Sequence, residues 1–182
     1  MKQVGIFISS NHAENPVFNE ITKQLAHELS QRNVGIVYGG ASVGLMGVLA
    51  DTMLHLHGSV VGVIPSFLAE KEISHARLTQ LHRVDTMQDR KKLLAELSDA
   101  FIIMPGGLGT LEEFFEIWNA AKIGLHQKPI GLLNVDGYFD DLLKFINNSI
   151  EKGFVNASHL ELIMVSDDPM KLLDRMKVGA IC

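Results

Sequence analysis

Residues 99–118 constrain the fold more than any other part of this sequence, because they combine a buried strand, a tight turn and a helix. Residues 101–104 are all apolar, which is typical of a strand buried on both faces, and Pro105 prevents this strand from continuing. The glycines within residues 106–109 then let the backbone approach a ligand closely. Thr110 is predicted at the start of a helix, whose free N–H groups suit a phosphate.

Two acidic residues, Glu112 and Glu113, follow this glycine loop within one turn of the predicted helix. A carboxylate at this place is near enough to contact the group to which a bound phosphate is attached. The loop and the acidic pair together therefore predict a site that carries out chemistry on a phosphorylated compound.

Apolar strand patterns and amphipathic helix patterns alternate along the chain. The predicted strands cover residues 4–8, 34–38, 60–64, 81–84, 101–104, 130–133 and 162–165, and the predicted helices cover residues 16–32, 45–57, 86–97, 138–152 and 169–176 in addition to the helix after the glycine loop. The less regular residues 65–82 are a candidate lid. This alternation predicts an α/β fold of the Rossmann-like, doubly wound type, in which a parallel sheet is flanked by helices on both faces and ligands bind at the carboxyl ends of the strands.

Composition limits the class of protein. The length of 182 residues and the hydrophobic content of 47% favour one domain over residues 1–182. A net charge of −5 without a Lys/Arg-rich run argues against a nucleic-acid polymer as partner. No apolar run reaches the roughly 20 residues of a membrane helix, and no signal-peptide pattern is seen. We therefore expect a protein that binds no membrane. The single cysteine, Cys182, can form no internal disulfide, so we also expect the protein to be cytoplasmic.

A second glycine turn, at residues 39–46, has the glycine spacing of a P-loop, but Leu45 and Met46 stand where an NTPase has Lys and Ser or Thr. The turn also lacks the dinucleotide fingerprint, because Ala41 occupies the second glycine position. An ordinary NTPase and a hydride-transferring enzyme are therefore not favoured. Taken alone, this turn is interpreted as a tight connection from a strand to a helix.

Other polar residues give weaker signals. His55 and His57 are two residues apart on a predicted helix and point in different directions, so no metal site is expected. Ser9 and Ser10 are expected to border the pocket or to cap the first helix. By composition alone, Arg90 is more simply part of a solvated polar face than a phosphate ligand. The pair at residues 136–137, Asp-Gly, is interpreted as a plain turn.

Residues 105–113 read Pro-Gly-Gly-Leu-Gly-Thr-Leu-Glu-Glu and fill every fixed position of the PGGxGTxxE signature. The chain thereby resembles the LOG (Lonely Guy) family, the cytokinin riboside 5′-monophosphate phosphoribohydrolases. The resemblance continues through residues 37–40, 44–47, 62–65, 90–91 and 131–138, and so covers nearly the whole chain. It implies a homodimeric hydrolase, without a cofactor, that converts a purine nucleoside 5′-monophosphate into free base and ribose 5-phosphate.

The same resemblance implies roles for individual residues. Arg90 and Glu113 match the catalytic pair of the family. A carboxylate at Glu113 could stabilise an oxocarbenium-like ribosyl group or orient water, and Arg90 could hold the nucleotide and favour departure of the base. The implied substrate-binding residues are Glu72, Lys91, Gly106, Gly107, Leu108, Gly109 and Thr110.

Several positions depart from the family pattern. Ala41 replaces a glycine, residues 7–10 read Phe-Ile-Ser-Ser where a Cys-Gly-Ser-Ser type turn is common, Gln88-Asp89 replace a pair that begins with His, and Ala120 stands at a usual tryptophan. Cytokinin specificity therefore does not follow from the resemblance. An alternative hypothesis is a nucleotide or molybdenum-cofactor carrier on the same scaffold. Lysine decarboxylase, a label sometimes given to this family, would need a pyridoxal-binding lysine, and no motif marks one.

Overall fold

The structure is a computed structural model that describes residues 2–69 and 74–179, which contain seven strands and eight α-helices. The strands are β1 (Gln3–Phe7), β2 (Gly35–Tyr38), β3 (Val60–Pro65), β4 (Gln80–Val84), β5 (Ala100–Ile103), β6 (Ile130–Leu133) and β7 (Ile163–Ser166). The helices are α1 (Val17–Gln31), α2 (Gly44–His55), α3 (Ser66–Ala69), α4 (Met87–Leu97), α5 (Leu108–Lys122), α6 (Asp140–Glu151), α7 (Ala157–Leu160) and α8 (Pro169–Arg175).

All seven strands pair in parallel in the order β4-β3-β2-β1-β5-β6-β7. Strand β1 pairs with β2 on one side and with β5 on the other, so the winding direction of the chain reverses between β1 and β5. Such a reversal opens a crevice at the carboxyl ends of the two strands, where ligands bind in folds of this type. The predicted doubly wound α/β fold is confirmed.

The sheet separates two apolar cores, because alternate residues of each strand point to opposite faces. Val4 and Ile6 of β1 belong to the core beneath α1, α2 and α8, whereas Phe7 belongs to the core beneath α4, α5 and α6. Leu25 of α1 and Phe114 of α5 are fully buried in the first and second core, respectively. The helices that carry the candidate site are thus held rigidly against the sheet.

The predicted boundaries differ from the observed ones mainly at turns. The last paired residue of β3 is Pro65, opposite Val84, so this strand is one residue longer than predicted. A 3-10 turn at Val135–Gly137 precedes α6, and the short helix α7 has no counterpart in the prediction. No helix in residues 2–69 and 74–179 is long and apolar enough to cross a membrane. The interpretation of residues 1–182 as one domain stays a prediction.

Candidate active site

The glycine loop lies at the crevice between β1 and β5. Strand β5 ends at Ile103, and α5 begins at Leu108 after a four-residue turn, two residues earlier than Thr110. The residue that precedes the helix is Gly107, which has no side chain to accept hydrogen bonds from the first helical turn. A Cβ atom on Gly107 or Gly109 would meet no other atom within 4 Å, so both residues face open space. The N–H groups at this helix start are therefore accessible to an anion.

Three neighbouring residues, Ser9, Thr110 and Tyr138, contact this loop. The backbone N–H of Ser9 donates to the carbonyl oxygen of Pro105 at 3.3 Å. The hydroxyl of buried Thr110 lies so close to Gly106 that a Cβ atom on Gly106 would collide with it. The hydroxyl of Tyr138 donates to the carbonyl oxygen of Gly106 at 2.7 Å. These contacts stabilise the conformation of the loop that the structure shows.

A cavity of about 210 Å³ opens beside the loop. Its walls come from the residues after β1, from α2 and α4, and from the start of α5: Ile8, Ser9, Ser10, Asn11, Met46, Arg90, Gly107, Leu108, Gly109, Thr110 and Glu113. The fold thus brings the predicted catalytic pair and most of the predicted phosphate loop into one cavity. Ser9 and Ser10 border this cavity, as expected from the sequence.

Arg90 reaches the cavity from α4, and only 8% of its surface is exposed. Its Nε atom donates to the carbonyl oxygen of Val63 in β3 at 3.2 Å. Its Nη2 atom lies 3.7 Å from Oε1 of Glu113. The interpretation of Arg90 as part of a solvated polar face is therefore wrong. A guanidinium stays protonated even when it is buried, so it places a fixed positive charge in the cavity.

Arg90 occupies this position because residue 39 is a glycine. A Cβ atom on Gly39 would collide with Nη2 of Arg90 and would approach the side chain of Met46 closely. The turn at residues 39–46 is thus more than a connection from a strand to a helix, since the missing side chain at its start makes room for the guanidinium. The sequence did not reveal this role, because Arg90 is 51 residues away along the chain.

Glu113 lies in the first two turns of α5 and is likewise 8% exposed. Burial raises the pKa of its carboxyl group to about 7. The positive charge of Arg90 opposes this increase in pKa, and the negative charges of Glu112 and Glu116 add to it. Glu113 therefore changes its protonation state near neutral pH, which is typical of carboxyl groups at reactive sites.

Lys91 does not line the cavity beside the glycine loop. Its Nζ atom forms ion pairs with Glu112 at 3.1 Å and with Glu116 at 2.7 Å, and its hydrogen bonds to these two carboxylates raise its pKa. Lys91 lines a second cavity of about 390 Å³ between α4 and α5. Glu113 lines both cavities, so it stands between Lys91 and the glycine loop.

Of two other predicted substrate-binding residues, the structure describes Leu108 but not Glu72. Glu72 lies outside the described residues, as does the middle of the candidate lid at residues 70–73. The chain that follows packs on the turn at residues 39–46, because Ser74 forms a bridge with Ala41 and the N–H of His75 donates to the carbonyl of Gly40. The side chain of Leu108 is 87% exposed and has no hydrogen-bonding group, so any hydrogen bond of this residue to a phosphate involves its backbone.

A larger cavity, of about 850 Å³, lies elsewhere, along α2 and the residues that follow it. It is lined by His27, Asp51, Thr52, Leu54, His55, Leu56, His57 and Arg77, and by none of the predicted site residues that the structure describes. Within residues 2–69 and 74–179, no three His, Cys, Asp or Glu side chains are grouped so that they could hold a metal ion.

Comparison with known proteins identifies relatives over nearly the full chain. The family described as "Possible lysine decarboxylase" matches residues 46–176. The cytokinin riboside 5′-monophosphate phosphoribohydrolase LOG7 of Arabidopsis thaliana is 39% identical over 176 residues, which cover 97% of this chain and 81% of that protein. The phosphoribohydrolase LOG3 of the same plant is 36% identical over 181 residues, which cover 100% of this chain and 84% of that protein.

Two solved structures share the fold at low sequence identity. The molybdenum cofactor carrier protein of Chlamydomonas reinhardtii superposes with a TM-score of 0.71 at 22% identity, over 98% of this chain and 97% of that chain. The molybdenum cofactor binding protein of Rippkaea orientalis gives a TM-score of 0.69 at 19% identity, over 97% of this chain and 95% of that chain. Because one fold hosts many functions, these similarities establish the architecture alone.

The fold and the cavity define an α/β protein that has an open glycine loop beside a buried Arg–Glu pair. The family match and the identity to the two plant proteins show to which family this α/β protein belongs. The chain belongs to the LOG family, which is also described as possible lysine decarboxylases. The membership predicted from the PGGxGTxxE signature is confirmed.

Proposed function

We propose that this protein hydrolyses the N-glycosidic bond of a purine nucleoside 5′-monophosphate and releases free base and ribose 5-phosphate. The observation that carries this proposal is the buried Arg90–Glu113 pair beside an open helix N-terminus, within one cavity. A phosphate loop alone fits many nucleotide binders, whereas a buried carboxylate next to it suits the cleavage of a glycosidic bond. The names of the plant relatives support the same activity.

In this proposal the 5′-phosphate binds at the start of α5. The backbone of residues 106–109 and the hydroxyl of Thr110 hold it, and the partial positive charge of the helix N-terminus favours the phosphate. The phosphate does not react, so its binding energy serves to orient the bond that breaks.

The reaction breaks the bond between C1′ of the ribose and the base nitrogen, and the electron pair leaves with the base. Positive charge then develops on the ribosyl group, and the carboxylate of Glu113 stabilises it or orients the attacking water. The water oxygen bonds to C1′; one water proton ends on the base and the other stays on the new hydroxyl of ribose 5-phosphate. Arg90 supplies a fixed positive charge that holds the nucleotide and favours departure of the base.

Lys91 and Glu72 are proposed as further substrate contacts. A base that extends from the first cavity past Glu113 enters the second cavity, which Lys91 lines. Lys91 also neutralises Glu112 and Glu116, and so limits the negative charge around the reacting group.

We also propose that the protein is a homodimer in the cytoplasm. Large apolar side chains are exposed on α5 and near it, namely those of Phe115, Ile123, Leu125 and Phe154, the last of which is 87% exposed. Phe115 and Phe154 line a common groove, and exposed apolar patches are typical of protein–protein contacts. Light scattering after gel filtration measures the oligomeric state.

The proposed compartment rests on the cysteine content, because a chain with a single cysteine needs no oxidising compartment.

The deciding assay incubates the protein with AMP and, separately, with N6-isopentenyl-AMP, and follows free base and ribose 5-phosphate. Equal molar release of the two products supports the hydrolase, and the ratio of the two kcat/KM values gives the base preference. Tight nucleotide binding without release supports a carrier instead. Lysine incubated with pyridoxal phosphate tests the remaining label, and we expect no loss of carbon dioxide.

A further inference from the structure

A side-chain hydrogen bond connects the glycine loop to the turn after β6. The hydroxyl of Tyr138 donates to the carbonyl oxygen of Gly106 at 2.7 Å. Gly106 precedes Gly107, the residue at the start of α5 that lines the cavity. We propose that Tyr138 is a positioning residue, which orients the peptide group between Gly106 and Gly107 so that the N–H of Gly107 faces the bound phosphate. This inference rests on the proposed function, because it takes the ligand of the loop to be a 5′-phosphate.

The geometry of the peptide group supports this role. A trans peptide is planar, so its carbonyl oxygen and its N–H point in opposite directions. The hydrogen bond directs the carbonyl oxygen of Gly106 toward Tyr138, which does not line the cavity. The N–H of Gly107 is consequently directed away from Tyr138. The reverse orientation would turn a partly negative oxygen toward the phosphate.

This particular peptide needs an external constraint. It joins two glycines, and neither residue has a side chain that restricts backbone rotation. A peptide between two glycines can adopt either orientation more easily than other peptides, so a neighbouring group that binds one orientation favours it. The phenolic hydroxyl of Tyr138 is such a group, because it reaches the carbonyl oxygen from outside the cavity.

Tyr138 itself is aimed at the loop by the turn at Val135–Gly137. Asp136 and Gly137 both have positive φ angles, of 52° and 67°, which reverse the chain after β6. The side-chain amide of Asn15 donates to the carboxylate of Asp136 at 3.0 Å and fixes this turn against the start of α1. The ring of Tyr138 then contacts Phe18 edge to face, with ring centroids 6.0 Å apart. The Asp-Gly pair that the sequence marked only as a plain turn thus aims Tyr138 at Gly106.

Two variants separate the hydroxyl from the ring. Tyr138→Phe removes the hydroxyl and keeps the ring contact with Phe18, whereas Tyr138→Leu removes both. Since the side chain is 48% exposed, neither change empties a core position. We expect Tyr138→Phe to raise the Kd for ribose 5-phosphate, measured by calorimetry, by about five- to tenfold, the usual effect of one hydrogen bond. Tyr138→Leu should raise it to a similar extent.

Kinetics add a readout that a general loss of structure would not give. We expect Tyr138→Phe to raise the KM for AMP while kcat stays within about twofold of the wild type, since the hydroxyl does not touch the reacting bond. The inhibition constant of adenosine, which lacks the phosphate, should not change. Melting temperatures of the wild type and both variants control for folding.

Three results would overturn the inference. In the first, Tyr138→Phe binds ribose 5-phosphate as tightly as the wild type, even if Tyr138→Leu does not, and the ring alone matters. In the second, Tyr138→Phe lowers kcat and leaves the affinity for ribose 5-phosphate unchanged. In the third, the wild type itself does not bind ribose 5-phosphate. A wild type that binds ribose 5-phosphate but releases no base contradicts only the proposed hydrolysis, because calorimetry still measures the effect of Tyr138.

Discussion

The Nη2 atom of Arg90 lies 3.7 Å from Oε1 of Glu113, although both side chains are about nine-tenths buried. Charge-assisted hydrogen bonds are usually shorter, about 2.7 to 2.9 Å, so Arg90 and Glu113 form an ion pair without a short hydrogen bond between them. Arg90 is anchored instead through Nε to the carbonyl of Val63. The Arg90 guanidinium and the Glu113 carboxyl group can therefore both interact with a substrate placed between them and the glycine loop.

The raised pKa of Glu113 predicts a pH dependence of activity. The proposed mechanism needs the carboxylate, which the protein holds only above a pH of about 7. We expect kcat/KM for AMP to rise about tenfold per pH unit below this value and to level off above it. Initial rates from pH 5 to 9 measure this profile. A decrease in kcat/KM as the pH rises through 7 would mean that Glu113 acts as a proton donor and would contradict the proposed role.

The same carboxyl group predicts a pH dependence of stability. Below a pH of about 4.5, Glu113 is protonated in the folded and the unfolded chain; between about 4.5 and 7, only the unfolded chain ionises. The folded wild type therefore loses about 1.4 kcal/mol per pH unit over this interval, up to a total of about 3 kcal/mol. Glu113→Gln cannot ionise and avoids this loss.

Urea unfolding of the wild type and Glu113→Gln at pH 4.5 and pH 8 tests this effect. We expect similar free energies of unfolding at pH 4.5 and a more stable variant at pH 8. A variant that is less stable than the wild type at pH 8 would show that the Glu113 carboxylate is not buried at a net cost.

Arg90→Lys tests whether the guanidinium shape matters in addition to its charge. A lysine has one ammonium group, which cannot both donate to Val63 and lie beside Glu113. We expect kcat to fall by at least about a hundredfold. Arg175→Lys is a matched control, because Arg175 also donates to a strand carbonyl, that of Val165, at the distant end of the sheet. Equal activity of Arg90→Lys and the wild type would remove Arg90 from the catalytic pair.

Gly39→Ala tests the space that Arg90 requires. The new methyl group collides with Nη2 of Arg90, so we expect the free energy of unfolding to fall by about 1 to 3 kcal/mol, as for other overpacked sites, and kcat/KM to fall as well. Combining this change with Arg90→Ala makes a double-mutant cycle. Gly39→Ala should cost much less stability in the Arg90→Ala background. An equal cost in both backgrounds would mean that the methyl group is disfavoured for another reason.

The sequence predicted the fold and the glycine loop because their signals are local. Each apolar strand and each amphipathic helix carries its own pattern, and residues 105–113 are contiguous. The switch point between β1 and β5 then follows from the doubly wound topology. Arg90 and Glu113 were assigned through the family resemblance, and the geometry of the fold brings them together.

Other features of the site depend on contacts between distant segments, which no local pattern contains. The space at Gly39 exists for Arg90, and the bond from Tyr138 to Gly106 joins residues 32 apart. In the sequence these positions are simply a glycine and a tyrosine, and the residue type alone does not identify the distant residue that each one contacts. The position of Lys91 on the other side of Glu113 is of the same kind, since it depends on how α4 packs beside α5.

The turnover of Glu113→Gln with AMP, measured together with its affinity for ribose 5-phosphate, shows most directly whether Glu113 is the catalytic carboxylate. This change removes the charge of Glu113 and little of its volume. Glu20→Gln, the same change at an exposed position of α1, is the matched control. We predict that Glu113→Gln binds ribose 5-phosphate within about threefold of the wild type and releases base at least about a thousandfold more slowly. Undiminished release of adenine by Glu113→Gln would contradict the account.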